Sequence, residues 1–249
     1  MLPYLSFPGR TYPTYVVLGL VGFFAAVLLA GFRTKRYGLP RADALYIGLF
    51  AGIGLLIGGV LLFALTQLRF GGMVFYGGLF GAVGGIFLYS RFMKLPFGTA
   101  MKLAVPVFPL AHAIMRLGCF AGGCCYGIAH PPPLGIAFTQ SLAAPNNVPL
   151  LPVQLYEAAV NLFIFAILWL FTKKERHWIV PVCLYGLLYS FARFWLEFLR
   201  GDEIRGFIMG LSTSQFISVL IFPLCVAGLC KRAVNTLNHG RILGRDGGG

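Results

Sequence analysis

The residues of this chain that could do chemistry are arginines and carboxylates set inside long apolar segments. In the stretch LLYSFARFWLEFLRGDE, Arg193, Glu197 and Arg200 are spaced i, i+4, i+7 and therefore share one helical face. A guanidinium group is planar and suits bidentate binding of phosphate. We therefore predict an anion site in which one arginine is held by Glu197 and the other is left free. The alternative is a purely structural Arg–Glu–Arg ladder.

A second polar face lies in PVQLYEAAVN, where Glu157 is the residue that most needs an explanation. An ionisable side chain in a bilayer-spanning helix costs about 2.5–3.5 kcal/mol at the helix centre, so it usually faces the protein interior with a partner. We expect Arg116 or Arg193 to be that partner. Arg116 shares a face with His112, and His112 alone is more typical of a packing residue. The other members of the stripe could simply link helices by hydrogen bonds; the full stripe is Gln154, Glu157 and Asn161.

Half of the six cysteines fall in one glycine-rich stretch, RLGCFAGGCCYG, which begins with Arg116. Metal binding is disfavoured, because the paired C-x₂-C spacing of structural zinc sites is missing and His130 would have to serve as a fourth ligand. A disulfide between Cys119 and either Cys124 or Cys125 is one alternative. A reactive thiol near Arg116 is another. We favour small apolar cysteines that fill a tight pocket, and we expect no metal and no cofactor.

The elements that position these residues follow from composition. The 249 residues are 58% hydrophobic and only 11% charged, with 33 glycines, whereas soluble domains are about half apolar and a quarter charged. The chain is therefore an integral membrane protein. A net charge of +13 would suggest a nucleic-acid partner in a soluble protein, but here basic loops facing anionic lipid explain it, and we expect no nucleic acid. The opening segment lacks the features of a signal peptide.

Hydropathy predicts an all-α fold with seven transmembrane helices. Pro106 and Pro109 should kink the fourth helix. Glycines four residues apart in the third, Gly77, Gly81 and Gly85, form a ridge for close helix packing. The predicted spans are 14–32, 43–66, 70–90, 97–118, 152–171, 178–200 and 210–230.

Basic residues alternate between the two ends of these spans, with 14 of the 20 Lys and Arg on one side. The positive-inside rule then puts the N-terminus outside and the C-terminus in the cytoplasm. Arg10, Arg69 and Arg205 fall on the outer side. We expect a single membrane domain, 1–249, with an external or interfacial segment at 119–151 that carries no Lys, Arg, Asp or Glu, and a basic cytoplasmic tail at 231–249.

Four motifs occur in order between about residues 70 and 205: FGGMVFYGGLFGAVGG, RLGCFAGGCCYG, LPVQLYEA and RFWLEFLRGDE. Together they resemble the bacterial prolipoprotein diacylglyceryl transferases. The resemblance implies a multi-pass enzyme of the bacterial cytoplasmic membrane. It would move the diacylglyceryl group of phosphatidylglycerol to a lipobox cysteine thiol in a prolipoprotein signal peptide, with glycerol phosphate leaving and no metal involved.

The resemblance also implies site residues. Arg116 and Arg193 match the two essential arginines of the family and would hold the phosphate, and Glu197 would orient Arg193. We count these three as catalytic. The remaining candidates would bind the substrates: Tyr15, Tyr76, Gly77, Gly78, Cys119, Cys124, Gly127, Gln154, Glu157 and Arg200.

Some positions depart from the family pattern. Tyr76 stands where the family has a His before Gly-Gly, which is a candidate base for the attacking thiol, and Cys119 and Cys124 stand at the signature Asn and Glu. The residues that would bind the phospholipid donor are thus retained, whereas those that would act on the acceptor thiol are altered. The alternatives are a related lipid-group transferase with a different acceptor, and a non-enzymatic lipid-anion binder or transporter. The two halves of the sequence share no paired interrupted segments of the kind found in transporters with inverted repeats, which counts against a transporter.

Overall fold

The structure is a computed structural model that describes residues 2–7, 9–68, 70–202 and 207–245, with side chains up to residue 236 apart from Phe7. Arg69, Arg205 and the end of the basic tail therefore lie outside the described residues. The described chain is mostly helical. Five of its helices are long and apolar enough to cross a membrane, and a bent pair of helices makes a sixth candidate.

The chain begins with a strand hairpin and three long helices. A hairpin of β1 (Tyr4–Phe7) and β2 (Arg10–Pro13) leads into α1 (Thr14–Thr34), followed by α2 (Arg41–Gln67) and α3 (Phe75–Phe92). The helix α3 occupies the third predicted span but is not among the five long apolar helices.

Glycines bring α2 and α3 into backbone contact, as the glycine ridge predicts. A Cβ atom on Gly81 would lie 1.9 Å from the Gly54 carbonyl oxygen, and one on Gly77 would lie 2.4 Å from the Gly58 oxygen. Gly85 faces the Phe50 carbonyl in the same way. Larger residues would force the helices apart, so this close approach depends on the absence of side chains.

The fourth predicted span is bent, as its prolines predict. Helix α4 (Phe97–Ala104) and α5 (Phe108–Gly122) meet at an angle of 45° around Pro106. Helix α5 continues to Gly122, where Gly123 adopts a left-handed conformation with φ of 69° and ends it. Residues 119–122 are therefore helical, and the irregular segment begins four residues later than the sequence suggested.

The remaining helices carry most of the polar candidates. They are α6 (Val153–Phe171), α7 (Ile179–Leu196), which continues into a 3₁₀ turn at Glu197–Leu199, and α8 (Thr213–Arg245). Two short pairs of strands accompany these helices. Strand β3 (Ile136–Ala137) pairs with β4 (Pro149–Leu150) before α6, and β5 (Phe207–Ile208) pairs with β6 (Leu211–Ser212) between α7 and α8.

Basic residues from the end of α1, the turn after it and α4 meet the loop after α6 at one end of the helices. Arg36 lies 3.0 Å from the Glu175 carboxylate, which Lys102 also contacts. Arg33 donates hydrogen bonds to the hydroxyl and the carbonyl of Thr172. The loops after α1 and α6 and the start of the bent pair therefore lie on the same side. This is the grouping that the charge alternation predicts.

Candidate functional site

Arg116 and Arg193 converge on a single carboxylate. The Nη2 atom of Arg116 lies 2.9 Å from Oε1 of Glu157, and the Nη1 atom of Arg193 lies 3.4 Å from Oε2. All three side chains are buried, with at most 7% of each residue exposed. The sequence left open which arginine would pair with Glu157, and the structure shows that both do.

Three consecutive helices bring these groups together. Arg116 sits in the second half of α5, Glu157 in the second turn of α6, and Arg193 near the end of α7. Each residue lies on a buried face of its helix. Removing such charges from water costs several kcal/mol per ion, so each group needs the partners that the other helices supply.

Neutral polar groups complete the surroundings of the Glu157 carboxylate. The Tyr189 hydroxyl donates a hydrogen bond of 3.0 Å to Oε1. Arg116 Nε donates to His112 Nε2 at 3.2 Å, and that nitrogen lies 3.6 Å from the same carboxylate. The His112 ring also stacks on Phe75 with centroids 4.4 Å apart. His112 therefore both packs and contacts the site.

The predicted i, i+4, i+7 helical face is interrupted, because α7 ends at Leu196 and Arg200 is extended beyond the 3₁₀ turn, and its residues form separate ion pairs. Arg193 Nη2 lies 2.6 Å from Glu197 Oε2, as predicted. Arg200 instead binds Asp202 through two hydrogen bonds, Nε to Oδ1 at 2.7 Å and Nη2 to Oδ2 at 2.5 Å. The prediction that one arginine of this face is left free is therefore wrong, because Asp202 follows two residues later and reaches back to Arg200.

The cysteine stretch lies directly beyond Arg116. The Sγ atoms of Cys119, Cys124 and Cys125 all lie within 4.8 Å of one another, and none of the three cysteines forms a disulfide bond. Hydrogen bonds from the other two thiols hold the pKa of the Cys125 thiol well below its usual range, and the charges of Arg200 and Arg116 act in the same direction. The three thiols therefore form a cluster beside Arg116, and it stays a prediction that these cysteines fill a tight pocket.

Gly127 and Gln154 hold the segment that follows the cysteines. Gln154 Nε2 donates to the Cys124 carbonyl at 2.7 Å. Gly127 pairs with Arg200 in an isolated β-bridge, and a Cβ atom there would lie 2.6 Å from the Leu151 carbonyl oxygen. These contacts hold the irregular segment against the start of α6 and the chain just beyond the end of α7. Glycine is required at position 127 because the backbone segments around Gly127, Leu151 and Arg200 meet there and leave no room for a side chain.

Other candidates lie around this centre. Tyr15 packs against Gly118 of α5. The Tyr76 hydroxyl shares a 2.6 Å hydrogen bond with Ser218 of α8, and the Tyr76 ring meets the Tyr189 ring edge-on. Gly77 and Gly78 face α2, where a Cβ would meet Gly58 and Leu55 respectively, so helix packing accounts for both glycines.

Sequence reasoning passed over three residues that contact the candidates. Asp202 lies within the motif RFWLEFLRGDE, and its carboxylate two positions after Arg200 was a usable signal. Ser214 accepts a 3.4 Å hydrogen bond from Arg193, and Ser218 contacts Tyr76. Both serines belong to α8, and a serine in a helix gives no signal of which neighbour it will meet.

Comparison with known proteins points to one family. The family model described as "LGT: Prolipoprotein diacylglyceryl transferase" matches residues 4–231. The chain is 34% identical to the phosphatidylglycerol–prolipoprotein diacylglyceryl transferase of Clostridium tetani, over 82% of this chain and 87% of that protein. It is 31% identical to phosphatidylglycerol–prolipoprotein diacylglyceryl transferase 2 of Clostridium perfringens, over 92% of each chain. A Stenotrophomonas maltophilia relative with the first of these names is 31% identical over 86% of this chain and 85% of its own length.

Proposed function

We propose, from the premise that this chain belongs to the prolipoprotein diacylglyceryl transferase family, that it transfers the diacylglyceryl group of phosphatidylglycerol to a lipobox cysteine thiol. Its relatives are named for a reaction between phosphatidylglycerol and a prolipoprotein. In the reaction, the bond between the diacylglyceryl carbon and the phosphate oxygen breaks and a carbon–sulfur bond forms. Glycerol phosphate leaves, and the thiol proton passes to a base or to solvent.

The observation that carries the donor side is the convergence of Arg116 and Arg193 on Glu157. Each guanidinium group has five N–H donors, and the pairing uses only some of them. The Nε of Arg193 has no hydrogen-bond partner among the described residues, although it is buried. Donors of this kind can bind a phosphate oxygen and stabilise the charge that develops as glycerol phosphate leaves. Arg116 and Arg193 are therefore proposed as the catalytic pair.

Glu157 and Glu197 then act as positioning residues. Glu157 bridges the arginines, and Glu197 holds the second Nη of Arg193. Without these carboxylates the two guanidinium groups would repel each other in a low-dielectric interior. Arg200, fastened to Asp202 and to the Gly127 backbone, supports the segment over the site. The other candidates are proposed to bind the substrates: Tyr15, Tyr76, Cys119, Cys124, Gly127 and Gln154. Gly77 and Gly78 are proposed to act only by holding α3 in place through their packing on α2.

A second candidate function differs in the acceptor. Tyr76 stands where the family has a histidine, and its hydroxyl is bonded to Ser218. A phenol with an ordinary pKa near 10 is a much weaker base at neutral pH than an imidazole with an ordinary pKa near 6.5. This substitution favours a related transferase that uses another nucleophile.

Labelled phosphatidylglycerol separates these functions. The purified protein would be incubated with phosphatidylglycerol labelled in the diacyl portion, with and without a lipobox peptide. We expect a labelled peptide and stoichiometric glycerol phosphate. Turnover of the lipid with no label on the peptide would favour the second candidate. Binding of the lipid without any turnover would leave only a lipid-anion binder and would overturn both transferase proposals.

We also propose the topology of seven spans in one membrane domain, 1–249, in the bacterial cytoplasmic membrane. The N-terminus and the segment 119–151 would be outside, and the tail 231–249 in the cytoplasm. The ion pairs of Arg36 and Lys102 with Glu175, which bring the turn after α1, helix α4 and the loop after α6 to one side, support this arrangement. In a cysteine-free background, Gln140→Cys should react with an impermeant maleimide added to intact cells and Lys174→Cys should react only after lysis. The reverse pattern would overturn the orientation.

A further inference from the structure

The thiol cluster formed by Cys119, Cys124 and Cys125 has no chemical step assigned to it in the transfer reaction, in which Cys119 and Cys124 would only line the substrate site. Three sulfur atoms meet within 4.8 Å although the sequence spacing lacks the pairs typical of zinc sites. Cys119 lies three residues after Arg116, about one helical turn further along α5. The cluster therefore adjoins the proposed phosphate site without being part of the ion-pair network.

The end of α5 explains how such a spacing can form a cluster. Gly123 is left-handed, and the Cys124 amide donates back to the Cys119 carbonyl at 3.1 Å. This turn folds the chain so that the residues after the helix point back at its last turn. Cys125 itself has a positive φ of 58°, which is uncommon for a residue other than glycine. Backbone held in this region is often found at functional sites.

We propose that Cys119, Cys124 and Cys125 form a three-thiolate site for a thiophilic metal ion of the Zn²⁺ type. Zn–S bonds are about 2.3 Å long, so tetrahedral ligands place their sulfurs about 3.8 Å apart. The sulfurs here need to approach by about 1 Å at most to reach that geometry. Cys124 and Cys125 lie beyond the helix and can make this movement by side-chain rotation.

The charges around the cluster fit an occupied site. A divalent ion with three thiolates carries one net negative charge, and the guanidinium groups of Arg116 and Arg200 both act on Cys125. Binding forms three metal–sulfur bonds, displaces water from the metal, and passes the thiol protons to solvent, with no change of oxidation state. The fourth metal position is left for water, as in zinc sites that are open to a further ligand.

Direct measurement of bound metal tests this site without reference to transfer activity. The reduced, purified full-length protein would be equilibrated with Zn²⁺ and its metal content measured, with Co²⁺ as a spectroscopic reporter of sulfur ligands. We expect about one ion per chain, a sulfur-to-cobalt charge-transfer band, and at least a tenfold loss of affinity in Cys125→Ser. The matched control replaces Cys183, Cys225 and Cys230 by serine and should bind as the natural chain does.

Protection from alkylation tests the site even if a cluster variant fails to fold. Zn²⁺ should slow the alkylation of the cluster cysteines at least tenfold and leave that of exposed Cys230 unchanged. Equal metal content in Cys125→Ser and the natural chain would overturn the proposal. A disulfide within the cluster that persists in excess reductant, or equal protection of Cys230, would also overturn it.

Discussion

Arg116 and Arg193 lie on different helices and bind opposite oxygens of one carboxylate, at 2.9 Å and 3.4 Å from Glu157. The two arginines are the phosphate ligands that we propose, and the carboxylate between them contacts both. A buried carboxylate shared by two cations gives the site a defined geometry before the lipid enters. The consequences of this arrangement can be tested residue by residue.

Replacing either arginine should abolish transfer. Arg116→Ala and Arg193→Ala each remove donors to the leaving phosphate, and loss of one such donor typically lowers kcat by about 10²–10³-fold. Arg116→Lys keeps the positive charge but lacks the planar guanidinium group that can bind two phosphate oxygens at once. We expect a similar loss of transfer activity. The measurement is transfer of labelled lipid by protein shown to insert in the membrane. Arg10→Ala, in the exposed N-terminal hairpin, is the control, and near-normal activity of Arg116→Ala would remove the phosphate site from consideration.

Glu157→Gln should destabilise the fold strongly. The substitution keeps the shape of the side chain but leaves two buried guanidinium groups without their shared negative charge. Removing one partner of a buried ion pair typically costs about 3–5 kcal/mol. Thermal unfolding in detergent would show the loss, and Glu157→Gln combined with Arg116→Met should recover part of it. If the single variant unfolds at the temperature of the natural chain, the shared carboxylate does not hold the arginines.

Gly81→Ala should separate α2 from α3. The new methyl group would lie 1.9 Å from the Gly54 carbonyl oxygen, and overpacking of this kind typically costs about 1–3 kcal/mol. Gly84→Ala is a matched control in the same helix, because a Cβ atom there meets nothing within 4 Å. We expect a lower unfolding temperature for the first variant and an unchanged or slightly higher one for the second. Equal effects would show that the helices do not depend on this close contact.

Glu175→Gln should have a small effect that depends on pH. The hydrogen bond from Lys102 is the main cause that lowers the pKa of the Glu175 carboxyl below its ordinary value of 4.5. A carboxyl with a lowered pKa stabilises the folded state fully above its ordinary value, and this contribution is lost as the pH falls through the lowered pKa. Because the side chain is 53% exposed, screening limits the effect to about 0.2–1 kcal/mol.

Unfolding of the natural chain and the Glu175→Gln variant at neutral pH and at a pH below the lowered pKa would check this. The difference between them should be present at neutral pH and disappear in acid. A difference that grows in acid would contradict the assigned ion pair. We expect the exposed Glu175 carboxylate to contribute less to the free energy of unfolding than the buried Glu157 carboxylate, because water screens its charge.

Local regularities made much of the fold predictable. Apolar runs of about 20 residues located most of the helices, and Pro106 marked the bend between α4 and α5. The last helix was predicted too short, because α8 continues through most of the predicted basic tail to Arg245. Helical periodicity placed Arg193 and Glu197 on one face, where they form an ion pair. Each of these inferences depends on a continuous run of neighbouring residues, or on a proline that cannot continue a helix, so the chain itself carries the information.

Contacts between distant segments were decided only by the tertiary structure. Glu157 could have paired with one arginine, but the packing of α5 and α7 on either side of α6 gives it both. The thiols of Cys119, Cys124 and Cys125 meet because a left-handed turn at Gly123 reverses the chain, which the spacing of cysteines does not reveal. By itself the sequence determined which residues are polar within an apolar chain and which family they mark. Only the fold decided their partners, because a buried charge binds whichever opposite group the packing of other helices brings to it.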